Sequence, residues 1–138
     1  MSAGPYDVFI SYRHAEKEWA RKTLLPRLEA AGLRACVDFR DFKLGAALLD
    51  EMERAVLESR FTVVVLSKAY LESGFTKLEE IMAAHLGTEE QAVRVIVILR
   101  DGTMPSLRLK TRLMLDMSDD SEFETNVARL IEALAPPA

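Results

Sequence analysis

The sequence predicts an α/β domain built on a five-stranded parallel sheet with helices on both faces. Two observations predict it. Short apolar runs recur along the chain, YDVFIS from Tyr6, RACVD from Arg34, FTVVVLS from Phe61, VRVIVIL from Val93 and a weaker LMLDM from Leu113. They are apolar almost throughout, as strands buried on both faces must be, and amphipathic helical segments separate them.

The helical segments follow from periodicity. The first covers residues 16–31 and stops at Gly32, placed as the glycine that ends a helix in a left-handed turn. The second, residues 46–59, sets Leu48, Leu49, Met52, Ala55 and Val56 on one side. The third runs over 75–86 and is stopped by Gly87, and the last, 121–134, carries Phe123, Val127, Leu130, Ile131 and Leu134 in one stripe. Residues 103–109 hold Pro105 and little periodicity, which reads as loop. The arrangement expected is a three-layer α/β/α domain with flavodoxin-like strand order 2-1-3-4-5, which binds ligands beyond the carboxyl ends of strands one and three. Ser11, Tyr12, Arg13 and His14, then Ser67, Lys68 and Ala69, and the start of the third helix gather there.

Composition narrows the function. With 138 residues the chain has the size of one domain, 1–138, which could equally be the N-terminal module of a longer protein. A net charge of −4 with dispersed Lys and Arg argues against a nucleic-acid partner. No apolar run approaches the roughly 18 residues that span a membrane, and the first residues lack a signal-peptide core. The single Cys36 between Ala35 and Val37 reads as a buried structural thiol in a reducing, cytoplasmic setting. Two histidines, His14 and His85, do not make a metal site, so no metal is expected. SYRHAEKEW after the first strand has no glycine, which excludes a phosphate-cradling loop. A phosphoacceptor aspartate is also missing where the third strand ends in Leu66-Ser67.

One carboxylate stands out. Taking Phe75 as zero and about 100° per residue, Leu78 falls at about 300°, Met82 at about 340°, Leu86 at about 20° and Ala83 at about 80°. Glu79, at about 40°, lies inside that apolar stripe, whereas Glu80 at about 140° points to the polar side. A carboxylate in apolar surroundings costs several kcal/mol unless it is paired, hydrogen-bonded or protonated. Either Glu79 serves a site, or it serves the helix dipole or pairs with Arg13 or Arg40.

Taken together, YDVFISYRH, RDFKLG from Arg40 to Gly45, LLDEMERAVLESRFTVVVLSKAYLES and the following FTKLE resemble a Toll/interleukin-1 receptor (TIR) domain over nearly the whole chain. The aromatic-Asp-x-Phe-Ile-Ser-Tyr strand is the most specific part. TIR domains divide into non-catalytic adaptors that assemble through TIR–TIR contacts and enzymes that cleave NAD+ at the nicotinamide–ribose bond. The enzymes carry an aromatic residue, often Trp, four positions before a catalytic glutamate. Phe75 and Glu79 fill those positions, with Phe in place of Trp, and Leu44 replaces the proline of the adaptor-type loop. The resemblance is closest to bacterial modules. It implies an NAD+ nucleosidase that releases nicotinamide and ADP-ribose or a cyclic variant, is activated by self-assembly and acts in bacterial immune signalling such as antiphage defence. NAD+ would be substrate, and no cofactor is implied.

Carried over by position, Glu79 is the catalytic residue. Tyr12, Arg13, His14, Asp38, Phe39, Ser67 and Phe75 are the residues expected to bind substrate, with Arg13 toward the pyrophosphate and Asp38 and Phe39 beside the ribose or nicotinamide. Each has a structural alternative: a polar surface loop for 12–14, a turn-starting aspartate and an aromatic lid for 38–39, and a cap for Ser67. Arg40, Asp41, Phe42, Lys43, Leu44 and Gly45 form the expected assembly loop. An adaptor module and a non-hydrolysing nucleotide sensor remain the alternatives.

Overall fold

The computed structural model describes residues 5–73, 75–87, 94–103 and 114–135. Five parallel strands stand in the order β2-β1-β3-β4-β5. They are β1 (Tyr6–Ser11), β2 (Ala35–Cys36), β3 (Ser59–Leu66), β4 (Val95–Leu99) and β5 (Leu115–Asp116). The predicted sheet and its order are both observed. Phe9 pairs with Cys36 on one side and Thr62 on the other, and Ile98 lies beside Val65 and Leu115. The winding reverses between β1 and β3, so the crevice expected at a switch point opens beyond Ser11 and Leu66.

The first helix, α1, is a composite: Lys17–Trp19 is α-helical, Ala20–Leu24 is a π turn and Leu25–Ala30 is α-helical again, preceded by a 3-10 turn His14–Glu16. Pro26 accounts for the wide turn, because it has no N–H for the carbonyl of Lys22 and its ring would strike that carbonyl in a regular helix. The helix ends as expected. Gly32, at φ +87°, donates to the Glu29 carbonyl and Leu33 to that of Leu28, a Schellman closure.

Two short helices were not anticipated, α2 (Asp38–Asp41) and α4 (Lys68–Ser73). Asp38 therefore opens a helical turn instead of ending a strand, and the Asp41 carboxylate accepts the Val37 N–H at 2.9 Å. The longer helices are α3 (Leu48–Glu58), α5 (Phe75–His85) and α6 (Phe123–Leu134). Residues 104–110, most of the expected 103–109 loop, lie outside the described residues.

Alternation along the strands divides the core in two. Val8, Ile10, Val63, Val65 and Ile98 face Leu24, Leu28, Val127 and Leu130 of α1 and α6. Phe9, Val64, Leu66 and Val97 face Ala55 and Val56 of α3, Tyr70 of α4 and Leu78 and Met82 of α5. Trp19 packs in the first layer, edge-on to Phe123. Cys36 is fully buried, and burial pushes its thiol up to about 12, as a structural cysteine requires. Among the described residues no helix is long and apolar enough to cross a membrane.

Candidate active site

A crevice of about 220 Å³ opens at the carboxyl end of β1. Its floor is Phe9, Ile10 and Ser11, and Tyr12, Arg13 and His14 leave the strand along one rim. Arg21 of α1 and Asp38 of α2 face them, Phe42, Leu48 and Met52 make an apolar wall, and Tyr70 of α4 closes the back.

The polar groups are interlocked. Tyr12 Oη donates to Asp38 Oδ1 at 2.5 Å and accepts from Arg21 Nε at 2.5 Å, while Arg21 stands 3.8 Å from the same carboxylate oxygen. The Arg21 guanidinium also lies over the Tyr12 ring at 5.6 Å and over Phe39 at 4.5 Å. Burial, then the bond to Asp38, push the Tyr12 hydroxyl up to about 12 against the opposing pull of Arg21. That phenol stays protonated, with its proton committed to Asp38. Asp38 Oδ1 additionally accepts the Phe39 N–H at 2.7 Å.

Ser11 and Tyr70 share a hydrogen bond of 2.7 Å at the back of the crevice. Burial raises the Tyr70 hydroxyl above its ordinary value, and the Ser11 bond and the Arg13 charge pull it down. Ser67 is buried, and its Oγ accepts the Tyr70 N–H at 3.2 Å, so it caps α4 as the structural alternative expects. The Arg13 guanidinium has no hydrogen bond or ion pair among the described residues, unlike that of Arg21, which Asp38 faces. Such a group favours an anionic ligand.

The expected residues divide. Tyr12, Arg13, His14 and Asp38 line the crevice together, joined by Phe42 from the expected assembly loop. Phe39 is exposed and covers the outer face of Arg21. Phe75 opens α5, and its side chain lies outside the described residues. Glu79 is half-buried on α5, Glu80 is exposed, and Glu79 is not among the described residues lining the crevice. The buried stripe of α5 is Leu78, Ile81, Met82 and Leu86, with Ala83 exposed. It is rotated from the expected one, which moves Glu79 from the interior of the stripe to its flank. Arg40 is engaged by Glu29 at 2.9 Å, by Asp41 at 3.3 Å and by the Ala35 carbonyl at 2.7 Å.

Arg21 and Tyr70 are site residues that sequence reasoning missed. Tyr70 had a signal, its spacing of three from the capping Ser67; Arg21 had none, because it meets Asp38 only through the fold.

Fold and site define a doubly wound α/β domain with a small, partly cationic crevice at its topological switch point. A family model described as the TIR domain matches residues 8–131, and the chain belongs to that family. It is 25% identical over 129 residues to the NAD(+) hydrolase TirS of Staphylococcus aureus, covering 94% of this chain and 46% of that protein. It is 33% identical over 96 residues to protein toll of Drosophila melanogaster, covering 68% of this chain and 9% of that protein. Among solved structures, a metazoan TIR-STING receptor from C. gigas in complex with 2',3'-cGAMP superposes with a TM-score of 0.81 at 26% identity, covering 99% of this chain and 41% of the receptor. This chain thus spans less than half the length of each of these relatives.

Proposed function

We propose that this TIR domain is an NAD+ nucleosidase that cleaves the nicotinamide–ribose bond, with Glu79 as its catalytic carboxylate. The observation that carries the reading is the crevice, where Arg13, unpaired among the described residues, shares the lining with Asp38 and with Phe42, Leu48 and Met52. Arg13 suits the pyrophosphate, and the wall suits a planar base. The relative named as an NAD(+) hydrolase supports the substrate class.

The chemistry needs little equipment. Nicotinamide in NAD+ is a cationic leaving group that departs neutral, so the general acid that glycosides require is dispensable. One carboxylate that accepts from the ribose hydroxyls and stabilises the positive charge developing at the anomeric carbon suffices. Glu79 takes that role in the reading, yet it stands off the crevice, and about 220 Å³ is small beside the roughly 300–1,000 Å³ of ordinary ligand sites. A second copy packed against the crevice completes the site. The product is ADP-ribose or a cyclic variant, and the setting is bacterial immune signalling.

Purified protein, concentrated or fused to an oligomerising partner and incubated with NAD+, tests this by liquid chromatography. Stoichiometric nicotinamide is expected. Intact NAD+ under oligomerising conditions overturns the reading and leaves the adaptor alternative, which the exposed Leu44, Leu48 and Leu49 favour as an apolar contact surface.

A further inference from the structure

Glu51 is a buried carboxylate on α3, at a helix position that an apolar side chain would fill without desolvating a charge. It accepts the Lys43 N–H at 2.8 Å and Arg54 Nη2 at 2.9 Å. Arg54 Nη2 also reaches the Asp41 carbonyl at 3.0 Å, and Nη1 is anchored on Glu58 at 3.0 Å. The Phe42 N–H bonds to the Asp38 carbonyl at 3.1 Å. Both peptide groups flanking Phe42 are therefore held, the first through the Asp41 carbonyl and its own N–H, the second through the Lys43 N–H.

Beyond this brace the loop is open. Leu44, Gly45, Ala46 and Ala47 are exposed, and Gly45 sits at φ +86°. Phe42 itself is half-buried, its ring 5.9 Å from that of Phe9 and tilted by 35°, with part of it lining the crevice. An aromatic face attracts a planar cation, and a pyridinium is one.

Resting on the reading above, we propose that Phe42 is the wall on which the planar base of the dinucleotide stacks, and that Glu51 and Arg54 are positioning residues that hold this ring in place without touching the ligand. The hydrogen bonds around residues 41–43 lock the base of the loop while its tip stays free. The Arg54 guanidinium and the Lys43 N–H hold the Glu51 carboxyl below its ordinary range, as a brace working through an ionised carboxylate requires.

The test uses Phe42→Trp in the full chain, titrated with NAD+ and followed by fluorescence, with wild type carrying Trp19 alone as background. Stacking of a pyridinium on the new indole quenches it, and saturable quenching absent from wild type is expected. In turnover, Phe42→Leu should raise KM about tenfold with kcat nearly unchanged. Glu51→Leu should do the same, while Glu51→Gln, which keeps an acceptor for the Lys43 N–H, restores most of the loss. The double variant Phe42→Leu/Glu51→Leu should be no worse than Phe42→Leu, because the brace acts only through the ring. Turnover without quenching, or additive losses in the double variant, overturns this proposal and leaves the nucleosidase reading standing. Quenching without turnover overturns the nucleosidase reading and keeps a stacked base in a binding site. The absence of both overturns the two together.

Discussion

Tyr12 and Asp38 are joined by a hydrogen bond in which the phenol of the β1 rim donates to the first carboxylate of α2, and Arg21 of α1 donates to that same phenol. Three elements meet at one oxygen. The rim of the crevice is thereby fixed before any ligand arrives, as preorganised binding requires.

One prediction concerns that phenol. Its hydroxyl is held up to about 12, so no activity limb between pH 8 and 10 belongs to Tyr12. Tyr12→Phe keeps the ring but removes the donor to Asp38, which should cost about 1 kcal/mol in urea unfolding. A wild-type pH–rate profile with an alkaline limb near pH 9 that disappears in Tyr12→Phe would contradict the assignment.

A second separates the two adjacent glutamates. Removing an electrostatic stabiliser of the transition state costs on the order of a hundredfold or more. Glu79→Gln should lower NAD+ cleavage by at least that factor, and Glu80→Gln, fully on the solvent side of α5, should leave it within about twofold of wild type, the scale of change at a surface site. Circular dichroism of both variants checks the helix. Comparable losses at both positions would indicate damage to α5 instead of lost chemistry.

The third follows from the amino end of β1. Asp7 is buried at the start of β1; burial pushes its carboxyl up, but the side chain and N–H of Arg34 and the charge of Arg60 win, leaving it below its ordinary range. A group with a folded pKa below the unfolded value of about 3.9 stabilises fully above that value. Its contribution is lost as pH falls through 4 toward the folded pKa. Unfolding free energy should decline below about pH 5, and Asp7→Asn should flatten that decline while costing about 2 kcal/mol at pH 7. Urea titrations from pH 3.5 to 7 decide it, and an unchanged slope in Asp7→Asn would exclude Asp7 as the source.

Which parts of this molecule could be read from sequence depends on how local their physics is. β1 was legible because Val8, Phe9 and Ile10 follow an aromatic residue in a short β-rich run, and the end of α1 because Gly32 supplies a left-handed turn within three residues. The helices α2 and α4 span four and six residues, too few for a periodic stripe to register. Tyr12, Arg13, His14 and Asp38 could be placed at one crevice because strand order alone brings their loops together. Arg21 and Glu51 could not. Arg21 looks like any solvated helix cation until the fold sets it beside Asp38, and Glu51 looks like an exposed helix carboxylate until the loop folds back and its N–H from Lys43 arrives. The rotation of α5 was missed for a related reason. The projected stripe left out Ile81, which is buried in the core layer that includes Ala55, Val56 and Tyr70, and so put Glu79 deeper than it lies.

The last prediction concerns assembly. Leu44 is 103% exposed, so it contributes no packing to the single chain, and Leu48 beside the crevice is 54% exposed. Two apolar side chains at the tip and root of one loop suit a contact surface, and in the reading proposed above a neighbouring copy completes the small crevice, whose described lining lacks Glu79. Leu44→Glu should therefore leave the melting temperature of the monomer unchanged and weaken self-association at least tenfold, about 1.4 kcal/mol. Specific activity of wild type at saturating NAD+ should rise with protein concentration, and that of Leu44→Glu should stay low until the chain is tethered into oligomers. Light scattering and turnover measured on the same samples make the comparison. Activity per chain that is flat from dilute monomer to crowded oligomer would mean that α5 swings Glu79 into the crevice within one chain, and the neighbour would lose its place in the mechanism.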